Sequence, residues 1–225
     1  MIAPYKGTFR ISQTWNNLRS NGTLHQGFDL VGIADKRLYS PVYGTVVRAG
    51  WENPKNAKQG WGRRVVVRIG KTRFYMYFGH LSSIAVTAGQ TVKPGDLIGI
   101  EGSTGHSTGS HLHWEIRESD NHSLYRDMPQ YSGIPNVTSR TARTSAWDGF
   151  LLGSTTLAAG RNSYPAAIHN ATLQARLSAL GFDAGDPDGL FGAKTTAAVK
   201  QFQLSRSLTV DGKVGAKTKA ALFAP

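Results

Sequence analysis

The hydrophobic pattern of this chain changes period once along its length, and that switch limits what it can fold into. Up to about residue 117 the apolar residues come in short β-branched or aromatic runs, at 41–47, 64–69, 73–78, 97–100 and 111–116, separated by glycine-containing turns. Many short strands at close spacing predict an antiparallel sheet. Further on, Leu173, Leu177 and Leu180 recur at helix spacing, and Gly181 stands where a helix C-cap belongs. The segment 188–199 (DGLFGAKTTAAV) then returns 23 positions later at 211–222 (DGKVGAKTKAAL). Each copy reads as a glycine-rich turn followed by a short helix. Two copies are too few for a solenoid and predict a compact three-helix unit.

The expected fold is therefore mixed, with two domains: an antiparallel all-β domain over 1–135 and a small all-α domain over 170–225. Residues 136–169 are small and polar and are expected to form a linker, part of which (Trp147, Phe150, Leu151, Leu152) packs on something. The chain of 225 residues contains no cysteine, which excludes a disulfide framework, a thiolate metal site and a cysteine nucleophile. Any metal must be held by nitrogen and oxygen. No stretch approaches the roughly 18–20 apolar residues of a membrane span, and the amino terminus lacks the pattern of a secretion signal.

The net charge of +12 is spread along the chain, with 16 Lys/Arg against 9 Asp/Glu in residues 1–135, 3 against 1 in 136–170 and 7 against 4 in 171–225. Such a field favours polyanions in general, including anionic wall polymers and lipopolysaccharide, or it serves solubility alone. No basic helix or aromatic RNA-binding signature accompanies it, so no specific nucleic-acid partner is expected.

The chemistry concentrates in histidine. His111 and His113 are two residues apart, which on a strand places both on one face. His25 and Asp29, also at even spacing, can join them from an extended segment. Neutral imidazoles with one carboxylate form a ligand set that holds Zn²⁺ with a position left open for water. His122 and His169 receive no role, and His106 in the glycine-rich loop is expected to be incidentally exposed, with substrate contact as the alternative. Asp35 and Asp96 are expected in turns, and Asp188 and Asp211 in turns or helix N-caps. Leu190, Phe191, Phe202 and Val214 are expected in the core.

Taken in order, these fragments resemble the lysostaphin/LytM type of zinc metallopeptidase, the M23 family of peptidoglycan endopeptidases. The resemblance rests on His25-x-Gly27-x-Asp29, Pro41-Val42 with Gly44-x-Val46, and Gly79-His80-Leu81-Ser82. It continues through Val92-x-x-Gly95-Asp96 and Ile98-Gly99, and ends in the run GHSTGSHLHWE at 105–115. It implies that His25, Asp29 and His113 bind zinc and that His111 is the general base for the attacking water. His80 would orient that water or stabilise the oxyanion. Ser110 stands where the family often has proline, Trp114 where it has phenylalanine, and Phe78, with Tyr77 beside it, where it commonly has tyrosine.

The C-terminal region is similar to a small helical peptidoglycan-binding domain. The match runs through Leu173-Gln174-x-x-Leu177-x-x-Leu180-Gly181-Phe182 and Asp188-Gly189-x-Phe191-Gly192-x-x-Thr195. It continues through Ala198-Val199-x-x-Phe202-Gln203 and Val210-Asp211-Gly212-x-Val214-Gly215-x-x-Thr218. Together the two resemblances imply a zinc-dependent peptidoglycan endopeptidase of phage or prophage endolysin type, made in the host cytoplasm and acting at the wall after release. The alternatives are a non-catalytic wall-binding or regulatory protein and a host-made bacteriolytic peptidase.

Overall fold

A computed structural model describes residues 1–119, 124–144 and 152–224. Its strands are β1 (Thr8–Gln13), β2 (Phe28–Gly32), β3 (Arg37–Tyr39), β4 (Gly44–Trp51), β5 (Arg63–Ile69), β6 (Tyr75–Gly79), β7 (Ser83–Ile84), β8 (Thr91–Val92), β9 (Leu97–Ile100), β10 (Leu112–Arg117) and β11 (Thr141–Arg143). The helices are α1 (Met128–Ser132), α2 (Ala166–Ala179), α3 (Ala193–Ser205) and α4 (Ala216–Leu222). An eight-stranded antiparallel sheet runs β11-β1-β2-β10-β6-β5-β4-β8, and a three-stranded sheet runs β3-β9-β7.

β10 shows why the sheet forms here. Its period-two alternation sends Leu112, Trp114 and Ile116 into the apolar core, while His113, Glu115 and Arg117 are buried on the opposite face. The same core takes Leu38 of β3, Ile98 of β9, Tyr5 of the N-terminal segment and Met128 and Tyr131 of α1. The short helix α1 interrupts the all-β expectation; Asp127 caps it by accepting from the Gln130 amide at 2.8 Å.

The C-terminal repeat folds as two copies of one hydrogen-bond clamp. Gln174 on α2 donates to Asp188 (2.9 Å) and Thr195 (3.2 Å) and accepts from the Gly189 amide at 2.9 Å. Gln203 on α3 does the same to Asp211 (2.8 Å), Thr218 (3.2 Å) and Gly212 (2.9 Å). Asp188 and Asp211 are thus turn residues and cap no helix: α3 and α4 begin after Gly192 and Gly215 without a side-chain cap. Phe191, Phe202 and Val214 are core as expected, whereas Leu190 is 54% exposed.

The interval 136–169 contributes β11, whose residues pair with β1, and Leu152 and Leu157, which lie in the second core. Trp147, Phe150, Leu151 and His122 lie outside the described residues. Helix α2 belongs to both halves. Ala167, Ile168 and Ala171 enter the core of the sheet domain, while Leu173 and Leu177 enter that of the helical domain. The turn before α3 meets the β5–β6 turn, with the Lys71 amide donating to the Pro187 carbonyl at 2.8 Å and Lys71 pairing with Asp186. No helix among the described residues is long and apolar enough to cross a membrane.

Candidate metal centre and cleft

Sheet register brings the centre together. His113 of β10 is the direct pairing partner of Asp29 on β2. His25 reaches the same spot from a hairpin over 16–25, closed by Asn16 N–H to His25 O at 2.7 Å and His25 N–H to Asn17 O at 2.8 Å. Between His25 and Asp29 the chain crosses over β10, and a Cβ at Gly27 would lie 2.5 Å from the Trp114 carbonyl oxygen. Only glycine allows that approach.

The inward atoms of the three side chains form a nearly equilateral triangle. His25 Nε2 is 3.1 Å from Asp29 Oδ1 and 3.1 Å from His113 Nδ1, and His113 Nδ1 is 2.9 Å from Asp29 Oδ1. Tetrahedral ligands about 2.0–2.1 Å from a zinc ion stand roughly 3.3 Å apart. The outer nitrogens are already committed: His25 Nδ1 donates to the Thr14 carbonyl at 2.8 Å, and His113 Nε2 donates to Glu115 at 3.1 Å. That leaves three electron-rich atoms facing one another, an arrangement that repels unless a positive charge sits among them. In the metal-free chain a proton serves. Burial works against it, but Asp29 and Glu115 together raise His113 to about 9. Burial likewise pushes Asp29 up and is outweighed by His113 and His25, which hold it well below the usual carboxylate range. His25, Asp29 and His113 therefore fit a divalent ion by donor type, spacing and tautomer.

His80 and His111 flank this triangle. His80 adopts a left-handed backbone (φ 64°), a conformation histidine visits more readily than most residues, fixed by its amide on the Trp61 carbonyl at 2.8 Å. Each ring donates Nδ1–H to a carbonyl, His80 to Thr104 and His111 to Gly109, both at 2.8 Å, so each keeps Nε2 as a free acceptor. His111 Nε2 lies 3.7 Å from Asp29 Oδ2, and the two rings are 4.6 Å apart. Burial, and then His111, push His80 down to about 4, so it is neutral at pH 7.

Three features escape a motif-based reading. Glu115 and Arg117 continue the even spacing of His111 and His113 on the same strand face, which is the signal that could have found them. Glu115 is fully buried, accepts from His113, and pairs with Arg117, whose guanidinium also donates to Gln26 at 2.8 Å. Trp61 lies almost parallel to the His113 ring, 6.2 Å away, and the Arg117 guanidinium sits over the Trp61 ring, 4.9 Å from its centroid. It carries no pattern in the sequence. Ser110, the departure from proline, donates to the buried carboxylate of Glu101 at 2.7 Å, which ties the glycine-rich loop to the Gly32 amide and Tyr5. Phe78 faces the core, and the Tyr77 hydroxyl donates to the Ser119 carbonyl at 3.3 Å. The cleft over the centre, about 670 Å³, is lined by Arg19, Trp61, His80, His106, His111 and His113 among others.

Residues 23–124 match peptidase family M23, and residues 171–222 match the family described as "Putative peptidoglycan binding domain". The chain thus carries an M23 peptidase domain followed by a peptidoglycan-binding domain. Among curated relatives, lysostaphin of Staphylococcus simulans is 33% identical over 114 residues, covering 48% of this chain and 22% of the relative. The peptidoglycan DD-endopeptidase ShyA of Vibrio cholerae is 40% identical over 139 residues, covering 59% of this chain and 31% of the relative. An uncharacterised metalloprotease of Haemophilus influenzae is 35% identical over 118 residues, covering 50% and 24%. Each alignment therefore spans a third or less of the relative. The solved catalytic domain of lysostaphin from S. simulans superposes with a TM-score of 0.44 at 30% identity, over 54% of this chain and 87% of that one.

Proposed function

We propose that this chain is a zinc-dependent peptidoglycan endopeptidase of endolysin type, hydrolysing an amide of the stem peptides or cross-bridges, held to its polymer by the C-terminal domain. The observation that carries this reading is the triangle of His25, Asp29 and His113 at 2.9–3.1 Å beneath an open cleft. A divalent ion bound there supplies Lewis-acid chemistry, lowering the pKa of water and polarising the scissile carbonyl.

The protein's own groups do the rest. With Nδ1–H committed to Gly109, His111 presents Nε2 to take the proton of the attacking water and later to return it to the leaving amine. His80 presents the same lone pair and, neutral at pH 7, carries its one proton on Nδ1 toward Thr104, so its Nε2 orients the water by accepting a hydrogen bond and has no N–H to offer an oxyanion. Trp61 walls the site and excludes solvent from one side. The same proposal takes peptidoglycan as the ligand of the helical domain and extends to phage origin and to action at the wall after release from the host cytoplasm.

Purified protein should solubilise walls and release new amino groups, lose this with a chelator and regain it with zinc. His111→Ala should lower kcat by about 10²–10⁴-fold while zinc remains bound. Wall binding without any released amines in the zinc-loaded protein would leave a non-catalytic binding protein in its place.

A further inference from the structure

The groove through the centre has two arms that share Gln13, Asp29, Thr108 and His111. One arm reaches Arg19, beside Ser20, Asn21 and Trp61; the other reaches Arg10, beside Ser12 and Val31. Among the described residues, the one carboxylate lining either arm is Asp29, whose oxygens are engaged at the centre. Neither arginine has an ion-pair partner among the described residues, although exposed arginines elsewhere, such as Arg37 and Arg73, do.

Both guanidinium groups are carried by the elements that carry ligands. Arg10 on β1 is register-paired with Val31, two residues along β2 from Asp29, so all three side chains share one face. A diagonal neighbour of this kind lies roughly 7–8 Å away, within reach of an arginine. Arg19 sits at the tip of the hairpin that ends in His25, its amide on the Thr23 carbonyl at 2.8 Å and its carbonyl accepting from Gly22 at 3.0 Å. A peptide laid through both arms with its scissile amide at the shared centre passes one arginine in each arm. The remaining lining includes the neutral polar side chains of Ser12, Gln13, Asn17, Asn21 and Thr108.

Resting on the function proposed above, we infer that Arg10 and Arg19 are specificity residues that each receive a free carboxylate of the substrate. The cleft then selects a peptide with an acidic group on either side of the scissile amide over a neutral oligoglycine. The planar fork of arginine matches a carboxylate with two parallel hydrogen bonds. Both arginines are exposed, so each contact is worth a few-fold and weakens with salt.

The test uses the zinc-loaded full-length protein and three substrates: a cross-linked stem peptide with free carboxylates, the same peptide with those carboxylates amidated, and oligoglycine. The acid form should exceed the amidated form in kcat/KM by about tenfold at low ionic strength, less in 0.5 M salt, with oligoglycine slowest. Arg10→Gln and Arg19→Gln should each reduce the acid-to-amide ratio about threefold, and the double variant should bring it near one. Equal rates for acid and amide, a ratio untouched by the variants, or faster cleavage of oligoglycine would overturn carboxylate recognition and leave the hydrolase standing. Failure to cut any of the three peptides would overturn the hydrolase and the inference together.

Discussion

Glu115 serves two neighbours at once. One carboxylate oxygen accepts a hydrogen bond from His113 Nε2–H, which turns the other ring nitrogen toward the centre, and the other oxygen neutralises the buried Arg117. Glu115→Gln keeps the shape but removes the charge. It should weaken zinc binding about 10–100-fold by competition titration, and lower the melting temperature because Arg117 is left buried without its counter-charge. The histidines predict a pH profile for the metal-stripped protein. His80 titrates near 4 when folded against 6.5 for a free imidazole. The unfolded chain therefore binds more protons between those values, and stability falls as pH drops through that window. His113, at about 9, has the opposite sign: its contribution is full below 6.5 and lost as pH rises through 9. The melting temperature should peak near pH 6.5, His80→Ala should flatten the acid limb, and zinc should abolish the alkaline limb by replacing the proton on His113. Of these residues, His25, Asp29, His111 and His113 are marked in the sequence by their even spacing, and His80 by the family resemblance alone. Trp61 was not, because its place depends on a loop closing over β6 and β10.

At the scale of elements, strands and repeat helices could be read from their periods, but their partners could not. The three residues of β11 carry no strand pattern of their own and become a strand by pairing with β1. Helix α2 was visible through its leucines, yet its first turns face another domain, and one amphipathic period cannot name two partners. Lys219 of α4 gives the clearest case of an element held by a distant one. Its ammonium donates to the carbonyls of Leu152 (3.2 Å), Gly153 (2.7 Å) and Thr155 (2.6 Å). Lys219→Met keeps the apolar stem and strips three acceptors of their donor. A loss of about 2 kcal/mol in urea unfolding is expected; an unchanged midpoint would show those carbonyls to be satisfied by water.

For the molecule as a whole, the boundary between domains is a packed interface. Ile168 is fully buried in the sheet domain's core, Tyr131 stacks on His169 at 5.3 Å, and Tyr164 packs on Phe74 at 5.6 Å. Burying an isoleucine is worth about 1.5–3 kcal/mol. The full chain should therefore melt in a single calorimetric transition, and Ile168→Asp should split it in two by detaching the helical domain. Two transitions in the unmutated chain would contradict a shared core.

Because α2 is common to both cores, the distance from the helical domain to the candidate metal centre is set by packing and not by a flexible tether. On the proposed function, a molecule seated on its polymer can address only the bonds lying at that one offset. Once these are severed it must let go and land again, so digestion advances by dissociation and its pace is governed by how quickly the C-terminal grip is released.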